Sequence, residues 1–180
     1  MATDEQSASA SKSAVRPIIR AAAPGDVAGI RSCVGAAFER YVERIGKPPG
    51  PMLLDFPALI GEGRVWVADA EGEVVGILVV YETGQGFYLD TVAVRPVRHG
   101  TGIGRELLQF AEREALRRGF DSIYLCTNAK MTENQVLYPK IGYVEYDRKF
   151  EAGYDRIFYR KPLDRGLPPD AGRSSPETGR

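Results

Sequence analysis

The stretch Val92 to Leu108 reads VAVRPVRHGTGIGRELL, with Gly100, Gly102 and Gly104 alternating with Thr101 and Ile103. A β-branched apolar segment leads into it and an amphipathic segment leads out, so the spacing predicts a strand, a tight turn and a helix. Glycine lets the backbone approach a ligand with no Cβ in the way. A helix beginning near Gly102 leaves its first N–H groups without intrahelical acceptors, and those donors, with the positive end of the helix dipole, favour an anion such as a phosphate. Two nucleotide-binding patterns fail here on spacing. A P-loop needs Gly-Lys followed by Ser or Thr, which is absent. A dinucleotide fingerprint begun at Gly102 would need its third glycine where Leu107 stands.

The remaining match is to the acetyl-CoA motif of the GNAT N-acetyltransferases. Val94, Pro96, Gly100, Gly102, Ile103, Gly104, Leu107 and Leu108 fall in register with it, and His99 departs, standing where that family usually has Gln or Arg. A second segment, LCTNAKMTENQVLYPKIGYVEY from Leu125 to Tyr146, is similar to the C-terminal half of the same family, with Leu137, Tyr138, Lys140, Gly142 and Tyr143 in place. The chain therefore resembles a GNAT N-acetyltransferase over nearly all of its folded part.

The resemblance implies acetyl-CoA as cosubstrate and direct attack by a primary amine, without metal or covalent enzyme intermediate. It places the backbone of Val92, Ala93 and Val94 beside the pantetheine amides. Gly100, Thr101, Gly102, Ile103, Gly104 and Arg105 would surround the diphosphate. It makes Tyr138 the general acid for the leaving thiolate, against a plain reading as a packing tyrosine. Asn134 lies one helical turn before Tyr138 and could reach the pantetheine or diphosphate arm, or simply solvate its helix. His99, the only histidine, lies at the loop entrance, which suits loop packing or a phosphate contact better than a role as base.

An alkylammonium with a pKa of roughly 10.4 has no lone pair for attack at neutral pH. The resemblance implies a Glu or Asp acting through water on the strand leading into the loop, which makes Asp90 the expected base, with a structural carboxylate or a substrate anchor as the alternatives; some members place that group two residues earlier, where this chain has Tyr88. A period of two puts Tyr88 on the same face. Tyr41, Arg44 and Lys47, with the proline-rich turn before Met52, are expected to form one wall of the acceptor cleft, with Phe87 and Tyr88 opposite. Arg44 and Lys47 read either as anchors for a substrate carboxylate or as solvated charges. The sequence does not identify the amine. The competing function is a non-catalytic acyl-CoA-binding or sensing module, which would keep the glycine loop and need neither Asp90 nor Tyr138.

These groups must be held by a scaffold. Pro17 to Arg20 reads as a first strand, a helix follows from Pro24 to about Phe38, and a second helical patch is broken by Gly46-Lys47-Pro48-Pro49-Gly50-Pro51. Arg64 to Asp69, Val74 to Tyr81 and Phe87 to Val94 read as three antiparallel strands. After the helix from Gly102 to Arg118 come a strand from Ser122 to Thr127, a helix from Thr132 to Ile141, and a hairpin of Tyr143 to Lys149 and Arg156 to Lys161. This order predicts an α/β fold with a mixed, mostly antiparallel sheet and helices on both faces, which is also the GNAT order.

The 180 residues suffice for one core. Residues 1–15 and 164–180 are too polar to bury much surface and are expected to be disordered tails around a domain at 16–163. With 24 basic and 24 acidic residues the net charge is zero, which offers no footprint for nucleic acid or an anionic membrane. No apolar run approaches a membrane span and no secretory signal is present, so a soluble cytoplasmic protein is expected. Cys33 and Cys126 read as small buried fillers, with no zinc spacing available. A homodimer, common among the proteins it resembles, is compatible with the sequence.

Overall fold

A computed structural model describes residues 16–164. The two expected tails lie outside the described residues, apart from Asp164. The elements in chain order are β1 (Ile18–Ala21), α1 (Val27–Ile45), α2 (Phe56–Gly61), β2 (Val65–Ala70), β3 (Glu73–Thr83), β4 (Gly86–Val94), α3 (Ile103–Arg117), β5 (Ser122–Asn128), α4 (Thr132–Lys140), β6 (Val144–Glu151) and β7 (Tyr154–Pro162). Seven strands form one sheet in the order β1-β2-β3-β4-β5-β7-β6. Every neighbouring pair is antiparallel except β4 and β5, which run parallel.

Apolar side chains alternate to both faces of the central strands, and each face has its own helical cover. Ile30, Cys33 and Val34 of α1, with Phe56 of α2, pack on Val65, Val67, Ile77, Val79 and Ala93. On the opposite face Ile103, Leu107, Leu108, Ala111 and Ala115 of α3, with Tyr138 of α4, pack on Leu78, Val80, Leu89, Ile123 and Leu125. α3 lies so close to β3 that a Cβ on Gly76 would stand 3.0 Å from Leu107 Cδ1 and 3.1 Å from Ile103 Cγ2. That approach seats the start of α3, and the glycine loop before it, against the sheet.

Two expectations about the helices change. The helical pattern after Phe38 is not a separate patch: α1 continues to Ile45 and stops at Gly46, whose φ of 85° is left-handed and whose N–H donates to the Val42 carbonyl. The second helix lies beyond the proline-rich turn, where Asp55 caps the N–H of Ala58 at 3.2 Å and Pro57 fits the first turn.

Candidate active site

The sheet opens where the site lies. β4 and β5 pair only through Phe87, Tyr88 and Leu89 opposite Ile123, Tyr124 and Leu125. Beyond them Asp90–Val94 keeps β3 on one side and no strand on the other. A cleft of about 1140 Å³ passes through this gap, reaching Phe38, Arg40 and Tyr41 of α1 in one direction and the glycine loop, α3 and α4 in the other.

On the α3 face, Gly100 (φ 77°) and Gly102 (φ 90°) turn the chain into the helix. A Cβ at either position would meet nothing within 4 Å, so the need for glycine there is conformational. The first bond of the helix is Glu106 N–H to the Gly102 carbonyl at 3.0 Å. The N–H groups of Gly102, Ile103, Gly104 and Arg105 therefore have no acceptor among the described residues, and all four residues line the cleft. Thr101 instead turns its hydroxyl back to the Arg98 carbonyl at 2.6 Å and does not line the wall.

His99 Nε2 lies 3.1 Å from the Val94 carbonyl, bracing the loop against the end of β4. The next residue, Arg95, donates its N–H to Val75 on the β3 side at 2.9 Å. Alternation along the strand then aims the main-chain groups of Val92 and Val94 into the gap, and those of Ala93 toward β3.

Tyr138 is buried within α4, its ring 5.5 Å from that of Tyr143 and 5.6 Å from that of Tyr159. Burial raises its pKa, as do the neighbouring Cys126 and Tyr41, so the phenol holds its proton at neutral pH. Asn134 donates its amide to Thr127 Oγ1 at 2.8 Å and to Met131 Sδ at 3.7 Å, leaving its carbonyl oxygen as the open acceptor on the cleft wall.

Asp90 sits at a β-bulge. Val79 pairs with Thr91 and Val80 with Leu89, so Asp90 is the extra residue of β4. Its Oδ2 accepts from Tyr81 Oη at 2.8 Å and its Oδ1 from Thr91 Oγ1 at 2.8 Å, fixing the carboxylate from two directions. Tyr88 lies beside it, in hydrogen-bond contact with Cys126 Sγ at 3.1 Å, and burial raises its pKa also. Burial keeps the Cys126 sulfur as a thiol as well, which leaves no thiolate nucleophile there.

The expected acceptor wall is partly rearranged. Tyr41 is buried, lines the cleft and takes a hydrogen bond from Arg40 at 2.8 Å. Phe87 does not face the cleft: it is fully buried in the α3-side core, its ring 5.5 Å from that of Phe120, because adjacent strand residues point to opposite faces. Arg44 is engaged by Glu133 at 2.8 Å and the Lys130 carbonyl at 3.2 Å. Lys47 binds the Gly153 carbonyl and lies 3.8 Å from the centre of the Tyr154 ring. In their place Arg40 and Arg156 line the cleft. Arg40 shares the face of α1 that carries Arg44, and Arg156 alternates with the core residues Ile157 and Tyr159, so both were within reach of periodicity. Tyr81 and Thr91 were not, since the bulge brings them to Asp90.

Residues 61–145 match the family model described as an acetyltransferase (GNAT) domain. Over that segment the chain is similar to a GNAT acetyltransferase domain. The match holds both motifs, Asp90 and Tyr138, and leaves out α1 and β7, which line the cleft through Arg40, Tyr41 and Arg156. Among solved structures, a GNAT-family acetyltransferase from Staphylococcus aureus Mu50 is 18% identical, with a TM-score of 0.67, and the alignment covers 82% of this chain and 99% of that one. The PaiA N-acetyltransferase of Thermoplasma acidophilum, solved with coenzyme A, is 15% identical with a TM-score of 0.64, covering 81% and 98%. The ribosomal-protein-S18-alanine N-acetyltransferase of Escherichia coli is 19% identical with a TM-score of 0.64, covering 88% and 97%. No curated protein matches the chain. Among the described residues no group of three or more His, Cys, Asp or Glu is placed to hold a metal, and no helix is long and apolar enough to cross a membrane.

Proposed function

We propose that the GNAT domain is an N-acetyltransferase that moves an acetyl group from acetyl-CoA to a primary amine by direct attack. The observation that carries this reading is the continuity of the cleft. It joins the four unpaired N–H groups at the start of α3 on one face to the Asp90 carboxylate, through a gap that Tyr138 also lines.

The residues divide the work along this passage. The N–H groups of Gly102 to Arg105 and the helix dipole take the diphosphate. The open edge of β4, at the main-chain groups of Val92 and the N–H of Val94, pairs with the pantetheine amides as an added strand would, and the Asn134 carbonyl offers a further acceptor. These groups suit CoA, and the coenzyme A complex of the Thermoplasma protein supports the choice of donor. Asp90, directly or through water, removes the proton that keeps the amine from attacking. The nitrogen then bonds to the thioester carbon, the C–S bond breaks, and Tyr138 donates to the departing sulfur. Because burial holds the phenol pKa above its ordinary value, full transfer to a thiolate is uphill unless the proton is replaced. The proton lost by the new amide nitrogen balances it. The protein works in this reading without a metal or an acyl-enzyme.

Incubating the protein with acetyl-CoA and a panel of amines while following free thiol tests the proposal. Acetylation of at least one amine, with product confirmed by mass, is the expected result. Coenzyme A binding without turnover on any amine would overturn it in favour of an acyl-CoA-binding module.

A further inference from the structure

The charges on the acceptor side are few and unequal. Among the described residues that line the cleft around α1, the 49–54 turn, the gap and the start of β7, Asp90 is the single carboxylate, while Arg40 and Arg156 are both cationic; Lys161, farther along β7, is paired with Glu112 of α3. Neither arginine is committed to a strong internal ion pair. Arg40 makes its hydrogen bond to the Tyr41 hydroxyl. Arg156 meets Glu151 at 3.6 Å, and that glutamate is 56% exposed, so a ligand carboxylate can displace it. Acceptors that carry several positive charges would find one acid and two cations here. An acceptor with both an ammonium and an acid group would find a partner for each.

The mouth is also strapped. The tip of the β6–β7 hairpin is fastened to the chain after α1 by three contacts: Lys47 to the Gly153 carbonyl, Lys47 to the Tyr154 ring, and Tyr154 Oη to the Pro48 carbonyl at 2.7 Å. Nearby, Arg44 of α1 is paired with Glu133 of α4. These ties join two segments that line the cleft, at Pro49 and Gly50 and at Tyr154, a fixed wall that favours a small molecule over a residue on a folded protein.

We infer that the acceptor is a small amine with a carboxylate close to its nitrogen, an amino-acid-like molecule whose ammonium meets Asp90 and whose acid group meets Arg40 and Arg156. The inference rests on the reading of the domain as an N-acetyltransferase and names its substrate class. Arginine is suited to the task because its planar fork binds a carboxylate with two parallel hydrogen bonds.

The test uses matched acceptors, each amino acid beside its amide and its decarboxylated amine, with spermidine and short peptides that have Asp or Ala as second residue. The free acids are expected to exceed their amides by about 10-fold or more in kcat/KM, with the difference in KM. Arg40→Gln and Arg156→Gln are each expected to shrink that ratio below about 3-fold while the KM for acetyl-CoA stays put. Amides or decarboxylated amines that match the acids, or spermidine or a peptide that outperforms every free acid, would overturn the inference. If no amine is acetylated, the proposed activity itself fails. Saturation-transfer NMR on the coenzyme A-loaded protein then decides the substrate class separately: binding of acids but not amides supports it, and equal or absent binding of both overturns it.

Discussion

Tyr81 Oη donates to Asp90 Oδ2 at 2.8 Å, across a hairpin whose register is shifted by one residue at Asp90 itself. Burial and the adjacent carboxylate raise the tyrosine pKa, so it remains a donor throughout the neutral range. The pair makes Tyr81 a positioning residue for the proposed base. Tyr81→Phe should lower kcat by about 5- to 10-fold, and Asp90→Asn by about 100-fold or more, with the KM for acetyl-CoA unchanged in both. A Tyr81→Phe enzyme whose KM for acetyl-CoA rises in step with its loss of kcat would instead assign the tyrosine to the donor side.

Tyr138 tests the other end of the reaction. Its phenol lies in the gap and keeps its proton, so removing the hydroxyl removes the donor to sulfur and little packing. Tyr138→Phe should reduce kcat by about 10- to 100-fold while the affinity for coenzyme A, measured by calorimetry, changes by less than about 3-fold. Equal losses in both would remove its proposed role.

The proposed donor half of the cleft was legible in the sequence because its groups are mostly main-chain groups. Three alternating glycines and a helix start define where N–H groups go unpaired, and the structure adds only which of them line the cleft. The strand and helix order was legible for the same reason, since apolar periodicity follows from facing a core. The proposed acceptor half depends on side chains brought together from α1, β4 and β7, and on one inserted residue at Asp90. Strand alternation already separates Phe87 from Tyr88, and a continuous pattern past residue 38 already extends α1. The pairing of Arg44 with Glu133, 89 residues away, had no local signal.

The glycine loop offers a test in which conformation and binding separate. Gly102→Ala forces an L side chain into a φ of 90° at a place where space is open. The cost is about 1 to 2 kcal/mol if the loop keeps its shape. A relaxed loop would turn the N–H groups away. Coenzyme A affinity should therefore fall by about 10-fold or more, with a modest drop in Tm, whereas His99→Ala, which removes a brace on Val94, should raise the KM for acetyl-CoA by a few-fold at unchanged kcat.

Glu114 gives a pH dependence that belongs to the fold and not to the reaction. Its side chain is only 6% exposed, and it accepts from Arg117 Nε at 2.8 Å and from Arg118 Nε at 2.7 Å. The hydrogen bond from Arg117 leads in holding its carboxyl below the usual carboxylate range, and Arg118 adds to it against the opposing effect of burial. A carboxyl whose pKa is lower folded than unfolded contributes its stability above the unfolded value, roughly 4.3 for glutamate, and loses it as the pH falls through the folded value. Glu114→Gln should cost about 1 to 3 kcal/mol at pH 7, where the charged hydrogen bonds are lost. Below pH 4 the unsubstituted protein should lose Tm faster than the variant, so that the two melting curves converge in acid. Parallel curves from pH 7 to pH 3 would show that the arginines on Glu114 contribute nothing that protonation can remove.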